Sequence, residues 1–314
     1  MGGYPGRIQR AERYERARSA AVAYDGIVHR RELRRVGISY EDVRSEVAAG
    51  RWQVLGHHTV AVLRTSLTPR ARWWRAIWES GSGSVLDGVA ALQASGMTGF
   101  AHDVIDVAIP KNSRRHRVDA VRRRHYAVMP PVILGGVPRV VPEHSLVHAM
   151  QWAATDRVAA LLLCLAVQQR IVSPDRVVEA FVGISRCRRR AFIGQVVRDV
   201  CDGAHSLGEL DFTGLCRRYG LPPPTRQVVR TGRDGRVYLD ASWDDIGLVA
   251  EIDGGHHFSA LSPVLDALRQ NDVVLDDALV LRIPVLGLRL MEEKFMGQVV
   301  EGFVLRRRLA RRRR

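Results

Sequence analysis

Three short strand-like segments separated by polar turns, the last of them largely apolar, constrain the fold more than any other feature of the sequence. They cover residues 227–231, 237–240 and 248–253. Apolar or alternating runs of about four to eight residues, bounded by turn residues such as Asp-Gly, are typical of β-strands. Short turns of this kind join antiparallel neighbours. The pattern therefore predicts an antiparallel sheet in which Asp240 lies beside Glu251 or one of its neighbours.

Three carboxylates fall on these predicted strands. Glu251 and Asp253 are two residues apart, so their side chains point to the same face of a strand. Asp240 joins them on that face if the predicted pairing is right. Carboxylates crowded on one face repel one another, and burying them without a partner costs free energy. Because Mg²⁺ binds carboxylate and phosphate oxygens together, the pattern predicts a magnesium site that acts on a phosphate.

The region from residue 206 to residue 282 resembles the very-short-patch-repair-like endonucleases of the PD-(D/E)XK superfamily. Its most specific part is the run E-x-D-G-x-x-H at residues 251–257, with an aspartate upstream. The residues that carry the resemblance occur in order along the chain: Ser206, Glu209, 219–224, Gln227, 238–240, 251–257, Asp266, Arg269, Asn271, Leu275 and 281–282.

The resemblance implies a restriction-endonuclease-like α/β sheet and a Mg²⁺-dependent or Mn²⁺-dependent endonuclease that hydrolyses phosphodiester bonds in DNA. By this resemblance, Asp240 is the principal metal ligand, Glu251 is a second ligand, and Glu209 lies near the site. His257 acts as a general base or orients the water, since imidazole titrates near neutral pH. Asp253 also belongs to the implied catalytic set and stands where the wider superfamily usually has Lys.

Two arginines, Arg269 and Arg282, are expected from the same resemblance to clamp phosphate. The alternative for Arg269 is a helix-surface residue that pairs with Asp266 three positions earlier. The alternative for the whole region is a non-catalytic DNA-binding regulator, or a type IV antitoxin-like protein, that retains a nuclease fold without cutting DNA.

The first 65 residues predict three short helices followed by a β-hairpin, which is the order of a winged helix-turn-helix. The helices are expected at residues 11–24, at 30–36 and from Ser39 to Gly50, with hairpin strands at 52–55 and 59–63. The stretch resembles the winged-helix domain of abortive-infection type IV antitoxins. The resembling residues are 25–28, 31–33, 36–39, 49–52 and 55–62. The resemblance implies DNA binding and a cognate toxin protein as a further partner.

The third predicted helix has an unfavourable charge for DNA recognition. It carries Glu41, Asp42 and Glu46 against a single cation, Arg44, and carboxylates repel phosphates. A set of nearby arginines is still expected to hold the DNA backbone, namely Arg30, Arg31, Arg34, Arg35 and Arg51. The alternative is that this domain is a dimerisation or docking module, for instance one that binds a toxin.

Between the two resemblances, residues 66–204 predict an α+β segment that becomes largely helical. Residues 69–78 hold three Trp and three Arg and favour an amphipathic helix over a basic aromatic patch. Residues 103–109 alternate as in a strand. Two arginine groups, 122–124 and 186–190, are candidate phosphate contacts, although a solvated strand face explains the first equally well.

The charge is unevenly distributed along the chain. Among 314 residues, 48 are Lys or Arg and 33 are Asp or Glu, which gives a net charge of +15 and indicates a polyanionic partner. Residues 1–204 carry 31 basic and 18 acidic residues, whereas residues 205–305 carry 10 and 15. The last nine residues include seven Arg, which predict either a disordered basic end or an arm that holds DNA.

These features together predict a multidomain protein of mixed α+β and α/β class. The expected parts are a winged helix-turn-helix at 1–65, a middle α+β segment at 66–204, an endonuclease-like α/β sheet at 205–305 and a basic tail at 306–314. The longest strictly apolar run has ten residues, whereas a bilayer needs about 20, so no membrane partner is expected. No secretory signal is readable, which favours a cytoplasmic location. The sequence leaves the oligomeric state open.

Overall fold

The computed structural model describes residues 9–63, 66–111, 118–201, 210–231, 237–253, 267 and 280–312. Within those ranges the chain forms twelve helices and three sheets, which confirms the expected mixed α+β architecture. The chain divides into two compact units. The first unit holds residues 1–96 and 101–145, and the second holds residues 97–100 and 146–314. The domain boundaries expected at residues 65 and 204 stay predictions.

The first unit begins with three helices and a small antiparallel sheet of order β1-β3-β2. The elements are α1 (Arg10–Val22), β1 (Ile27–His29), α2 (Arg30–Arg35), α3 (Tyr40–Ala48), β2 (Gln53–Val54) and β3 (Thr59–Ala61). The helices end within two residues of the predicted bounds, and the hairpin strands are shorter than predicted. Helix α3 begins with a capping box, in which Ser39 and Asp42 each accept a hydrogen bond from the backbone N–H group of the other.

A compact apolar core holds these elements together. Leu33 of α2, Ile38, Val43 of α3, Trp52 and Val60 of β3 are all nearly inaccessible to water. Burying side chains of this size contributes about 1.5–3 kcal/mol each. The order of three helices and a hairpin is therefore the one that the sequence predicted, and its assignment as a winged helix remains a proposal.

The rest of the first unit is built around a five-stranded mixed sheet of order β6-β5-β4-β8-β7. Its elements are α4 (Pro69–Ser80), β4 (Val85–Leu86), α5 (Gly88–Ala94), β5 (Ile105–Pro110), β6 (Val121–Tyr126), β7 (Val132–Ile133) and β8 (Arg139–Val140). Helix α4 is the amphipathic helix expected from residues 69–78. Its residues Trp73, Trp74 and Trp78 are partly buried against the apolar core of this sheet, so they do not form an exposed aromatic patch.

A buried carboxylate on α4 anchors the loop of the first hairpin. Glu79 is only 4% exposed, and its two carboxylate oxygens accept hydrogen bonds from the backbone N–H groups of His57 and His58 and from the Thr59 hydroxyl. Gly56 precedes this loop, and a Cβ atom added there would lie 2.4 Å from the Glu79 carboxyl carbon. The absence of a side chain at position 56 therefore lets α4 approach the hairpin loop closely.

A Gly56→Ala variant should be destabilised by about 1–3 kcal/mol, because the added methyl group displaces a carboxylate that has three buried hydrogen bonds. Urea unfolding followed by circular dichroism measures the change. The matched control is Gly135→Ala, since a Cβ atom at position 135 has no heavy atom within 4 Å. Equal stability of the two variants would contradict the anchoring role of Glu79.

The second unit combines helices with a four-stranded sheet. Its elements are α6 (Pro142–Trp152, from residue 146 onward), α7 (Asp156–Gln168), α8 (Pro174–Gly183), α9 (Arg190–Cys201), α10 (Phe212–Arg218), β9 (Arg226–Thr231), β10 (Val237–Trp243), β11 (Leu248–Asp253), β12 (Val280–Pro284), α11 (Val285–Leu290) and α12 (Glu292–Arg312). The sheet order is β12-β11-β10-β9, with β9, β10 and β11 antiparallel and β12 parallel to β11.

One face of this sheet packs on the largest apolar cluster of the described residues. Leu239, Trp243, Ala250 and Ile252 alternate along β10 and β11 and are almost completely buried. Helix α12 belongs to the same cluster through four residues of its inner face, Phe295, Met296, Val299 and Phe303. The period of two that buries these side chains directs the intervening residues to the opposite face.

Two elements of the second unit differ from the sequence prediction. Helix α10 itself begins at Phe212, where Asp211 caps it by accepting a hydrogen bond from the Gly214 N–H group; Ser206 and Glu209 lie outside the described residues. Strand β10 continues three residues past Asp240, where it was expected to end, since Trp243 is buried in the sheet core.

The basic tail is the second difference. A disordered end was one of the two alternatives, yet residues 306–312 form the last turns of α12. Arg, Leu and Ala all have high helix propensity, so the run R-R-R-L-A-R-R continues a helix that is already held by its packing on the sheet.

Candidate functional site

The carboxylates predicted to meet on the sheet do so in register. Asp240 of β10 pairs directly with Glu251 of β11 in the antiparallel ladder. Residues directly opposite in such a ladder have Cβ atoms about 4.5–5.5 Å apart and lie on the same face. The parallel strand β12 places Arg282 beside Glu251 on its other side. The sheet therefore aligns two acids and one cation in a row across three strands.

This row lies on the face of the sheet opposite the apolar cluster. Along β11 the side chains alternate between buried and partly exposed, and Glu251 and Asp253 are in the partly exposed set. Asp240 is also partly exposed, between the buried Leu239 and Ala241. The prediction that the three carboxylates share one face is thus confirmed.

Two further residues on this face were not picked out from the sequence. Tyr238 pairs with Asp253, and Ser242 pairs with Val249, so both lie on the face that carries Asp240. The signal that would have found them is their spacing of two residues from Asp240 along a strand. Tyr238 adds an aromatic ring and a hydroxyl group to the polar face, and Ser242 adds a hydroxyl group that donates to Asp244 at 2.7 Å.

Arg282 makes a loose ion pair with the second expected metal ligand. Its Nε atom lies 3.7 Å from the Oε2 atom of Glu251, and the Arg282 side chain is 72% exposed. An exposed pair of this geometry contributes little free energy. The guanidinium group is therefore close enough to the acids to meet a phosphate bound there and remains open to solvent.

Among the residues that the structure describes, no group of three or more His, Cys, Asp or Glu side chains could hold a metal ion. The predicted residues His257, Glu209 and Arg269 lie outside those residues. The two expected ligands that are described, Asp240 and Glu251, fit a Mg²⁺ ion, because such an ion is usually held by one or two carboxylates and completes its shell with water and substrate phosphate.

In the first unit, two of the three acids of α3 are buried inside the unit. Asp42 and Glu46 are both nearly inaccessible, and Arg13 of α1 makes an ion pair with each of them. Arg51 makes a second ion pair with Glu46. Two of the three carboxylates expected to repel DNA are therefore neutralised inside the unit, and sequence reasoning missed Arg13 altogether.

The exposed side of α3 is consequently close to neutral. Glu41 and Arg44 balance each other in charge there, and Tyr40 is 62% exposed. Arg30 extends over the Tyr40 ring, with its Cζ atom 5.9 Å from the ring centroid. Together with Arg30 of α2, this side of α3 presents an aromatic ring and two cations against one carboxylate.

The predicted phosphate contacts of the first unit fall into two groups. Arg31 and Arg35 are exposed but pair with Glu32, and Arg51 is engaged by Glu46. Arg34 is exposed and makes no ion pair with the part of the chain that the structure describes. Of the five arginines, Arg34 and Arg30 are the ones whose charge is not taken up by a described carboxylate.

The buried acids make the first unit sensitive to low pH. Hydrogen bonding and attraction from Arg51 hold the pKa of Glu46 below its usual value of 4.5. Burial pushes the pKa of Asp42 upward, but hydrogen bonds from Ser39 and Arg13 outweigh it and bring the pKa below 3.8. A carboxylate whose pKa is lower in the folded state stabilises the fold above its unfolded pKa.

We therefore expect the first unit to lose stability as the pH falls through about 4.5 and below, because protonation removes the charges that pair with Arg13 and Arg51. Urea midpoints measured by circular dichroism at pH 7, 5 and 3.5 test this. An Asp42→Asn/Glu46→Gln variant has no charge to lose at these two positions, so its urea midpoint should fall less than that of the wild type between pH 5 and pH 3.5. An unchanged pH profile in that variant would contradict the assignment.

Both arginine groups of the middle segment have structural partners. Arg122 donates to both carboxylate oxygens of the buried Asp106 at 2.7 and 2.8 Å, and Arg124 lies 3.3 Å from the same carboxylate. In the second unit, Arg189 donates to the backbone oxygens of Ala153 and Ala154. Arg122 and Arg124 therefore neutralise a buried acid and Arg189 caps a helix end, so these three are accounted for without a nucleic acid, whereas Arg186 is exposed.

Comparison of the chain with protein-family models and with curated proteins gives no match. None of the helices in the described ranges is long and apolar enough to cross a membrane.

Proposed function

We propose that the protein is a Mg²⁺-dependent endonuclease that hydrolyses phosphodiester bonds in DNA. Its second unit would carry the catalytic domain, of the very-short-patch-repair-like type in the PD-(D/E)XK superfamily. The observation that carries the proposal is the register of Asp240 against Glu251 on the open face of the sheet. Two carboxylates held side by side by strand pairing suit a hard divalent cation such as Mg²⁺, whose remaining ligands are water and substrate phosphate oxygens.

In this proposal Asp240 and Glu251 hold a Mg²⁺ or Mn²⁺ ion, which when bound polarises the phosphate and lowers the pKa of a coordinated water. Arg282, which is exposed beside Glu251, binds a non-bridging phosphate oxygen. His257, by its resemblance to the family motif, accepts a proton from the attacking water. Water adds to phosphorus, and the bond from phosphorus to the leaving sugar oxygen breaks.

The first unit supplies duplex binding in the same proposal. Its support is the burial of Asp42 and Glu46, which removes most of the repulsion expected between α3 and DNA. Arg30 and Arg34 would contact phosphates, as the antitoxin resemblance implies. A cognate toxin protein is the other partner that this resemblance suggests.

A second candidate function is a DNA-binding regulator that does not cut. The observation in its favour is the contact between Arg282 and Glu251, which neutralises one expected ligand without a metal ion. The position of Asp253, where the wider superfamily usually has Lys, points the same way.

One experiment separates these functions. The full chain is incubated with single-stranded, nicked, mismatched and intact duplex DNA, with Mg²⁺, with Mn²⁺ or with EDTA, and products are resolved on denaturing gels. The endonuclease proposal predicts cleavage of at least one substrate that depends on the divalent ion. Binding of duplex DNA without cleavage of any substrate in either metal would refute the endonuclease and support the regulator.

A further inference from the structure

The C-terminal end of α12 carries a dense group of cations. Within residues 306–312, only Leu309 and Ala310 are not arginine, and no acidic residue follows Glu301. Arg307, Arg308 and Arg311 are exposed, and none of the three makes a hydrogen bond or ion pair with the residues that the structure describes. We refer to Arg307, Arg308 and Arg311 as the arginine cluster.

The positive charge of the arginine cluster exceeds the charge that would stabilise the C-terminus of α12. One or two cations near a helix C-terminus are favourable, because they complement the helix dipole. Like charges three or four residues apart repel each other, as Arg307, Arg308 and Arg311 do. Because no described carboxylate neutralises the arginine cluster, we expect the cluster to bind an anion from outside the protein. Arg122 and Arg189, in contrast, have partners within the fold.

The position of the helix end is fixed next to the carboxylate-bearing hairpin. Arg306 donates from Nε to the backbone oxygen of Ile246 at 3.1 Å, and Phe303 contacts Trp243 edge-on at 5.8 Å between ring centroids. Both contacts lie at the turn that joins β10 to β11. Helix α12 packs on the face of the sheet opposite Asp240 and Glu251, so its end meets the hairpin at the turn and not at the two carboxylates.

We propose that the arginine cluster is a phosphate-contacting surface that holds the DNA backbone at the turn end of the β10–β11 hairpin, the hairpin that carries Asp240 and Glu251. This proposal deepens the proposed function and rests on it for the identity of the polyanion. The cations also offset the repulsion that the acidic face exerts on DNA before a metal ion binds.

An anionic membrane is the other polyanion that such a cluster could meet. A membrane-surface helix needs a continuous apolar face opposite its cations. The apolar face of α12 is already occupied by the sheet core, and its exposed apolar side chains near the cluster are the separate Val304 and Leu309, 41% and 38% exposed. The cluster therefore fits nucleic acid better than a lipid surface.

The test uses the full chain with Arg307, Arg308 and Arg311 all replaced by Gln, which keeps helix propensity and removes charge. DNA affinity is measured in EDTA, where no cleavage occurs, from 50 to 200 mM salt. Three lost phosphate contacts lower the salt slope by about 2.7, so the affinity gap between wild type and variant should widen by about 40-fold from 200 to 50 mM salt.

A matched control replaces Arg157, Arg170 and Arg176 by Gln, because these three are also exposed, belong to the same unit and are in neither predicted group of phosphate contacts. The control should keep a salt slope close to that of the wild type. The proposal is overturned if the cluster variant keeps the wild-type slope, or if the control loses as much. It is also overturned if the cluster variant loses binding to phosphatidylserine vesicles while its DNA binding is unchanged.

These outcomes are independent of the cleavage assay. If the wild type binds DNA through the cluster and cuts no substrate in either metal, the endonuclease proposal fails and the surface assignment stands. If the cluster variant binds DNA as the wild type does and the wild type cuts, the surface assignment fails and the endonuclease stands.

Discussion

An Arg13→Leu variant is expected to lose about 3–5 kcal/mol of the folding free energy of the first unit, because removal of one partner leaves buried charges without compensation. Arg13 is 8% exposed in its side chain and pairs with both Asp42 and Glu46. Leucine cannot reach either carboxylate. Arg51 still pairs with Glu46, so the larger part of the loss should come from Asp42.

Amide hydrogen exchange measured by mass spectrometry on the full chain tests this prediction, since it reports the first unit separately from the second. Peptides from α1 and α3 should exchange much faster in the variant. Arg16→Leu is the matched control, because Arg16 is on the same helix and makes an exposed pair with Glu12. Such a pair contributes about 0.2–1 kcal/mol, so exchange should change little.

A second comparison distinguishes lost charge pairing from lost packing. Arg13→Leu combined with Asp42→Asn and Glu46→Gln has no uncompensated buried charge, so it should recover much of the stability lost in Arg13→Leu. If the triple variant is no more stable than Arg13→Leu, then Arg13 acts through its packing and the electrostatic explanation of α3 is wrong.

An Asp240→Asn variant is expected to reduce DNA cleavage by roughly 10²–10³-fold, the scale found when one electrostatic stabiliser of a transition state is removed. Asparagine keeps the size of the side chain and removes the charge that attracts a divalent cation. The fold should be unaffected, because β10 is held by backbone pairing and by the burial of Leu239 and Ala241 on the other face.

The matched control for this substitution is Asp244→Asn. Asp244 is on the same hairpin, is exposed in the turn after β10, and accepts a hydrogen bond from Ser242. Cleavage rates measured under single-turnover conditions should be near wild type for the control. Equal rates for the wild type, Asp240→Asn and Asp244→Asn would show that Asp240 takes no part in the reaction.

The sheet that carries the site could be predicted because its determinants are local. Strands β10 and β11 are joined by a four-residue turn, residues 244–247, so the hairpin itself sets the register that brings Asp240 opposite Glu251. Alternation along β11 then decides which side chains share a face. Tyr238 and Ser242 follow from the same rule and could have been included.

The direction of the α3 acids could not be predicted, because it depends on a distant residue. Asp42 meets Arg13, which is 29 positions earlier in the chain, and only the packing of α1 against α3 brings them together. The sequence of α3 alone shows only that three acids outnumber one cation. The partners of Arg122 and Arg189 could not be predicted either, because they belong to other elements of the fold.

The helical tail illustrates a different difficulty. A run of arginines is typical both of disordered ends and of helices, since arginine has high helix propensity but cannot form a core. What decides the outcome is the preceding segment from Phe295 to Phe303, which packs on the sheet and provides a helix nucleus that the tail extends. That packing becomes visible only in the folded chain.

A calorimetric titration of Mn²⁺ into the full chain tests the proposed metal site itself; Mn²⁺ replaces Mg²⁺ because it binds protein ligands more tightly. We expect specific binding by the wild type and by Asp244→Asn, and loss of that binding in both Asp240→Asn and Glu251→Gln. Binding by Asp240→Asn and Glu251→Gln that equals wild-type binding would contradict the claim that these two carboxylates form a metal site.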